Sequence, residues 1–344
     1  MTYRCAIVGV GGGRAHGHAE AFPYMPRGEL TAISTRTAEK LQAFGDKWRV
    51  AARYTDYERM FRVEKPDLVL VNTPPTVRLE ILESAERHGV PGLIVEKPLA
   101  IQGEDYLELC EFADRATAKV AINHQLHFHP RRQMLQDLVR AGAIGRIRHL
   151  QASARMNMAY QGTHVLQAIQ AFHPSPPVQV STSLMVGHSG LQETPKKHFA
   201  PDRLAAEIVF ADGAVAELQC GLNAPYNDPD DTRINTHKQI GIEGTAGAIH
   251  WSMTGWRTRV EGREASGRHV YAEEDVLGQA GMCEAMFDWF EDESRVHPLH
   301  LRAALQDFRL LLAVYASGLS GKPESPNSAP AANLLDSMRA RLVP

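Results

Sequence analysis

Cysteine is scarce: Cys5, Cys110, Cys220 and Cys283 are the only ones in 344 residues, and they lie far apart with no Cys-x-x-Cys pair. Neither a disulfide framework nor a thiolate zinc site is expected, and the thiols read as reduced core residues. Long apolar runs are missing as well. The longest, residues 310–319, is interrupted by Tyr315, Ser317 and Gly318 and falls short of the roughly 18 apolar residues needed to span a bilayer. Nor does one charge dominate, since 37 Lys and Arg against 40 Asp and Glu give a net charge of −3. Without a basic field to attract a polyanion, nucleic acid is not an expected partner, and neither is a membrane. The first apolar stretch, residues 5–10, runs into glycines without a cleavage-like segment, so a cytoplasmic protein is expected.

What is present is ordinary globular composition, 44% hydrophobic and 22% charged, at a length that suggests two domains. Through about residue 123, short apolar runs alternate with helical patterns, the signature of a parallel sheet covered on both faces. Strands are expected at 4–9, 30–34, 67–72, 92–96 and 119–122, and helices at 16–22, 38–47, 79–88 and 104–115. Later the pattern changes. Helices are expected at 130–140, 164–172, 282–294 and 301–317, and a strand at 148–155. Hairpins are expected around Asp212-Gly213 and Gly244–Gly247, which imply antiparallel strands. The fold class is α/β: a doubly wound Rossmann domain at 1–123, then an α+β domain at 124–344 with an open, mostly antiparallel sheet.

Gly9-Val-Gly11-Gly12-Gly13-Arg14 directly follows the first strand and opens a helix. In that context glycines let a backbone approach a pyrophosphate, and the helix N-terminus offers amide N–H groups to it. Arg14 replaces the third fingerprint glycine and is placed to reach a phosphate; His16 and His18 on the same helix are further contact candidates. The second strand ends Ser34-Thr35-Arg36, with no carboxylate before Glu39. An NAD site places an acidic residue there for the ribose hydroxyls. Arg36 can instead pair with a 2′-phosphate, assisted by the Ser34 and Thr35 hydroxyls, so NADP is preferred over NAD.

Gly9-x-Gly11, Asn72-Thr73-Pro74-Pro75 and above all Glu96-Lys97-Pro98, each after a strand, resemble the glucose-fructose oxidoreductase, inositol dehydrogenase and rhizopine-catabolism family (Gfo/Idh/MocA). Phe128-His-Pro130, Gly142-x-x-Gly145, Gly162-x-His164 and Tyr315-Ala-Ser317 extend the likeness along nearly the whole chain. The resemblance implies hydride transfer between a nicotinamide cofactor and a carbinol or ketone of a sugar, cyclitol or related compound. It also implies homodimers or homotetramers made through the C-terminal sheet. It places Asn72, Thr73, Pro74 and Glu96 on the cofactor side and Lys97 beside both the nicotinamide and the reacting oxygen. An ammonium next to a cationic ring has its pKa pushed down, which suits proton exchange with a substrate hydroxyl.

The chain departs from the family pattern where many members carry Asp-x-Gly-x-His-x-x-Asp. Here the stretch reads Tyr160-Gln-Gly162-Thr-His164-Val-Leu-Gln167. His164 remains a workable general base, while Tyr160 suits donation to a carbonyl and hence the reductive direction. Arg78 stands where a histidine is common. His127 takes the place of a usual arginine, and His124, His127 and His129 form a His-x-x-His-x-His run. Alternate side chains of an extended segment point apart, so no metal is expected, and Asn123 and His127 are read as substrate-pocket residues with Lys97, Tyr160 and His164. Other readings are a catalytically silent dinucleotide-binding regulator, or an enzyme of a dihydrodiol or a tetrapyrrole.

Overall fold

The computed structural model describes residues 1–192, 197–226 and 236–343. Its first elements alternate strictly: β1 (Tyr3–Val8), α1 (Gly13–Ala21), β2 (Gly28–Ser34), α2 (Ala38–Trp48), β3 (Ala52–Tyr54), α3 (Tyr57–Glu64), β4 (Leu68–Val71), α4 (Arg78–Arg87), β5 (Gly92–Glu96), α5 (Gly103–Arg115) and β6 (Lys119–Asn123). Every residue of β4 and β5 is buried, as a parallel strand with both faces covered requires. The six strands form one sheet in the order β3-β2-β1-β4-β5-β6, every neighbouring pair parallel. This is the doubly wound arrangement, whose order reverses beside β1.

The remaining elements are α6 (Pro130–Arg140), β7 (Ile147–Ala154), a π-helical turn (Met158–Gly162), α7 (Thr163–Phe172), β8 (Pro177–Val186), β9 (Arg203–Phe210), β10 (Val215–Gly221), β11 (Lys238–Gly244), β12 (Gly247–Ser252), β13 (Gly255–Val260), β14 (Arg263–Arg268), α8 (Tyr271–Glu291), α9 (Leu301–Ser320) and α10 (Leu334–Leu342). Strands β7 to β14 make an eight-stranded sheet in the order β14-β13-β12-β11-β7-β10-β9-β8. Only the β7–β10 pair is parallel, so the expected α+β half with a mostly antiparallel open sheet is found. One face is packed by α6 and α7; along the other, Gln151, Glu207, Glu217, Gln219 and Arg257 are exposed.

The chain forms two compact units that are interleaved in sequence. The first comprises Met1–Leu99, Glu108–Phe128 and Asp275–Leu305, and the second Ala100–Leu107, His129–Glu274 and Gln306–Pro344. The sequence reading divides the chain once, after residue 123. Residues 275–305 return to the first unit because the apolar face of α8 completes its core: Tyr3 stacks on Phe287 with centroids 4.5 Å apart. Arg27 also pairs with Glu284 at 2.6 Å and with Asp288 at 2.8 Å.

Candidate active site

Within the first unit, Gly9 directly follows β1 with φ +93°, and a Cβ there would lie 2.9 Å from the Asn72 carbonyl oxygen. Both conformation and space therefore demand glycine. Its N–H donates to Ser34 O at 2.8 Å, tying the loop to the end of β2. Gly12 is the extended N-cap of α1 and has no side-chain cap. A Cβ on Gly12 or Gly13 would meet nothing within 4 Å, so the amide ends of the helix face open space at the carboxyl edge of the sheet. That cradle suits a pyrophosphate. Beside it, a Cβ on Gly11 would come within 3.8 Å of Thr35 Oγ1 and 3.7 Å of Lys40 Nζ. Arg36 is exposed and Ser34 is buried. Lys40, which sequence reasoning missed, lies four residues past Arg36 on the α2 face that borders the loop.

Glu96, Lys97 and Pro98 follow at the carboxyl end of β5, with a cis Lys97–Pro98 peptide bond. Glu96 Oε1 accepts from Asn123 Nδ2 at 2.5 Å, from His18 Nε2 at 3.1 Å and from Arg14 Nε at 3.1 Å. Burial alone would raise its carboxyl pKa. The His18 hydrogen bond and the charges of Arg14 and Lys97 outweigh burial and hold it well below the usual carboxylate range. Burial pushes His18 in the other direction, downward, against the pull of Glu96; the imidazole is thus a neutral donor through Nε2.

Arg14 is held by Glu96, by Asp275 through Nη1 at 3.0 Å, and by Gln279 through Nη2. Asn123 is fully buried and also donates to Gln279, at 3.0 Å. Gln279 and Asp275 sit one turn apart on α8, and no local sequence signal connects them with a glycine loop more than 250 residues earlier. Arg78, buried to 2%, donates to Thr73 O at 2.8 Å and to the Pro98 and Lys97 carbonyls. It clamps the loop after β4 to the loop after β5 and so fixes the backbone that carries Lys97. His16 turns elsewhere, accepting from Trp48 Nε1 at 2.9 Å. His127 is half-buried against Phe128. Among the described residues no group of His, Cys, Asp and Glu is arranged to hold a metal ion; His124 and His127 belong to the first unit and His129 to the second.

Within the second unit, Asn157 caps the π-helical turn, its Oδ1 accepting from Tyr160 N at 2.8 Å. The half-buried Tyr160 ring lies 5.5 Å from the His198 ring. His164, 4% exposed, follows on the first turn of α7. Gln161 accepts from Lys238 Nζ at 2.8 Å, a buried lysine on β11 that sequence reasoning did not single out. A Cβ on Gly162 would collide with Met158 Sδ and Cys220 Sγ, so glycine lets the turn press onto β10. The structure thus brings Arg14, Glu96, Lys97 and Asn123 together in one unit, and Tyr160 and His164 in the other.

Residues 3–124 match the model of the Gfo/Idh/MocA oxidoreductase family, described as NAD-binding with a Rossmann fold. The chain is 32% identical over 133 residues to dTDP-3,4-didehydro-2,6-dideoxy-alpha-D-glucose 3-reductase of Streptomyces violaceoruber, 39% of this chain and 38% of that protein. It is 28% identical over 144 residues to D-glucoside 3-dehydrogenase of Escherichia coli K12, 42% of this chain and 41% of that protein. These matches span about two-fifths of the relatives' length. The solved structure of levoglucosan dehydrogenase with NADH superposes with a TM-score of 0.80 at 16% identity, covering 95% of this chain and all of that one, which establishes a common fold. No helix among the described residues is long and apolar enough to cross a membrane. Over residues 3–124 the chain is thus similar to the Gfo/Idh/MocA family of oxidoreductases.

Proposed function

We propose that this protein is an NAD(P)-dependent oxidoreductase acting on a carbinol or ketone of a sugar, cyclitol or related polyhydroxylated compound, in the cytoplasm. The carrying observation is the open cradle over Gly12 and Gly13 at the amide end of α1, on the same sheet edge where β5 ends at Glu96 and Lys97. The sugar-directed names of the relatives support the substrate class. A bound nicotinamide would supply or accept the hydride. Gly9, Gly11, Gly12 and Gly13 would hold the diphosphate, and Asn72, Thr73 and Pro74 would line the ring side. Arg36, Ser34 and Thr35, joined by Lys40, would take a 2′-phosphate; two cations and no carboxylate at the end of β2 favour NADP.

Lys97 would exchange the proton of the reacting oxygen. Glu96, kept ionised by His18 and Arg14, holds a compensating negative charge beside it. His164 would serve as general base and Tyr160 as a hydrogen-bond donor to a carbonyl. The second unit would carry the substrate residues and the surface for self-association. Titration with NADPH and NADH, then a panel of sugars and keto-sugars, tests the reading; no turnover despite tight cofactor binding would favour a silent regulator. Lys97→Ala is expected to lower kcat by about 100-fold or more, as for loss of a general acid or base, with the cofactor Kd nearly unchanged. Full activity in that variant would refute the assignment.

A further inference from the structure

A buried guanidinium in the second unit lacks the partners that its counterpart in the first unit has. Arg78 is as deeply buried, but three backbone carbonyls surround it. Arg132, at the start of α6, is 1% exposed and ranks among the largest fully buried side chains. Its guanidinium carbon lies 5.3 Å from the Trp251 ring centroid and 5.9 Å from that of Phe172. Nε and Nη2 have no hydrogen-bond acceptor among the described residues. The neighbouring Arg131, not Arg132, pairs with Glu274, at 3.5 Å. Burial without a counter-charge pushes the Arg132 pKa down to about 9, offset in part by Tyr271, and the group remains a cation at neutral pH.

Two further donors on the elements around it are unpartnered. Trp251 Nε1 and Gln136 Nε2 are buried without an acceptor. Gln136 lies one turn after Arg132 on α6, where i and i+4 side chains share a face. Its amide oxygen accepts from Arg140 Nη2 at 3.4 Å, which leaves its NH2 for the interior. An unpaired buried charge is among the costliest arrangements in a protein, and orphaned donors beside a buried cation have the sign of an anion site.

We propose that Arg132, with Trp251 Nε1 and Gln136 Nε2, binds one small monovalent anion of the halide class among α6, α7 and β12. One cation calls for one negative charge, and a phosphate dianion would leave the site charged again. Aromatic walls also favour a weakly hydrated ion over a strongly hydrated one. The assignment is independent of the redox reading.

Two measurements on the whole protein decide it. Melting is compared in sodium chloride and in sodium gluconate at equal ionic strength and pH 7. At about ten times the halide Kd the wild type should melt roughly 2 °C higher in chloride, and Arg132→Met should melt alike in both. Crystals of the wild type soaked in bromide should show an anomalous peak within hydrogen-bonding reach of the guanidinium. Equal melting in both salts, a chloride effect retained in Arg132→Met, or bromide found only elsewhere would each overturn the proposal. Should Arg132→Met fail to fold, Trp251→Phe, which deletes one donor, should weaken the chloride response, and the bromide map needs no variant.

Discussion

Glu96 concentrates the electrostatics of the nucleotide-binding unit in one carboxylate. Its folded pKa is depressed, with His18, Arg14 and Lys97 outweighing burial. The stability it contributes is therefore fully present above the unfolded value, about 4.3 for a glutamate, and is lost as pH falls below that toward the folded value. Glu96→Gln should cost about 3 kcal/mol at pH 7, the scale for leaving a buried charge unpaired. The difference between wild type and variant should shrink between about pH 4.5 and pH 3. Urea unfolding across that range checks it; a constant difference would mean that the carboxylate charge is not what stabilises the unit. Lys97 and His164 stand out as candidates from short motifs, Glu96-Lys97-Pro98 and Gly162-x-His164, because each sits at a fixed offset from a glycine or proline. Arg78 was visible only as a departure from pattern, since nothing local says that a guanidinium will be buried against three carbonyls. Asp275 and Gln279 were illegible, because their partners are distant in sequence and an amphipathic helix carries no label for the core it will join.

At the level of elements, the turn between β7 and α7 controls how His164 is presented. Its π-helical geometry presses Gly162 onto β10, where a methyl group would strike Met158 and Cys220. Gly162→Ala should destabilise by about 1–3 kcal/mol through overpacking. Gly162→Ala with Cys220→Ala should recover part of that, giving a coupling of at least about 0.5 kcal/mol in a double-mutant cycle. Strict additivity in denaturant titrations would show that the sulfur does not set the fit. Strands β1, β2, β4, β5 and β6 and helices α2, α4 and α5 followed from the sequence, while α3 and the first half of α8 did not; the hairpin at Asp212-Gly213, where Gly213 takes φ +85°, followed too. β3, only three residues long and wholly half-buried, had no pattern to show. β8 has a weak signal in the sequence because Pro174, Pro176 and Pro177 crowd its start. It begins on Pro177 and lies at the sheet edge, where a missing N–H need not break a ladder. β13 and β14 carry arginines and exposed polar residues, so the burial alternation that marks a strand was faint.

At the scale of the molecule, the open face of the eight-stranded sheet bears a charge pattern that suits self-association. In register across the strands run Arg257, His250, Gly241, Gln151, Glu217 and Glu207. The row is cationic at the β13 end and anionic at the β9 end. A two-fold axis through its centre, between β11 and β7, would set β13 over β9 and β12 over β10 of a second copy. Arg257 would then face Glu207, twice per dimer, as an isologous interface requires. Beside that axis lies Gly241, whose Cβ position meets only the His250 ring, at 3.7 Å, which leaves room for the Gln151 side chain of the second copy. His250 does not spoil the match, because burial and then Arg257 lower its pKa to about 4 and leave it neutral near pH 7. We expect the protein to sediment as a dimer or larger. Arg257→Glu should weaken association by about 10-fold or more, since like charges would then meet in an excluded-water setting. Glu207→Arg alone should do the same, and the two together should restore the dimer because each symmetric contact regains opposite signs. Sedimentation velocity of the three variants separates this from simple unfolding: a double variant no better associated than the singles would place the self-contact on another surface.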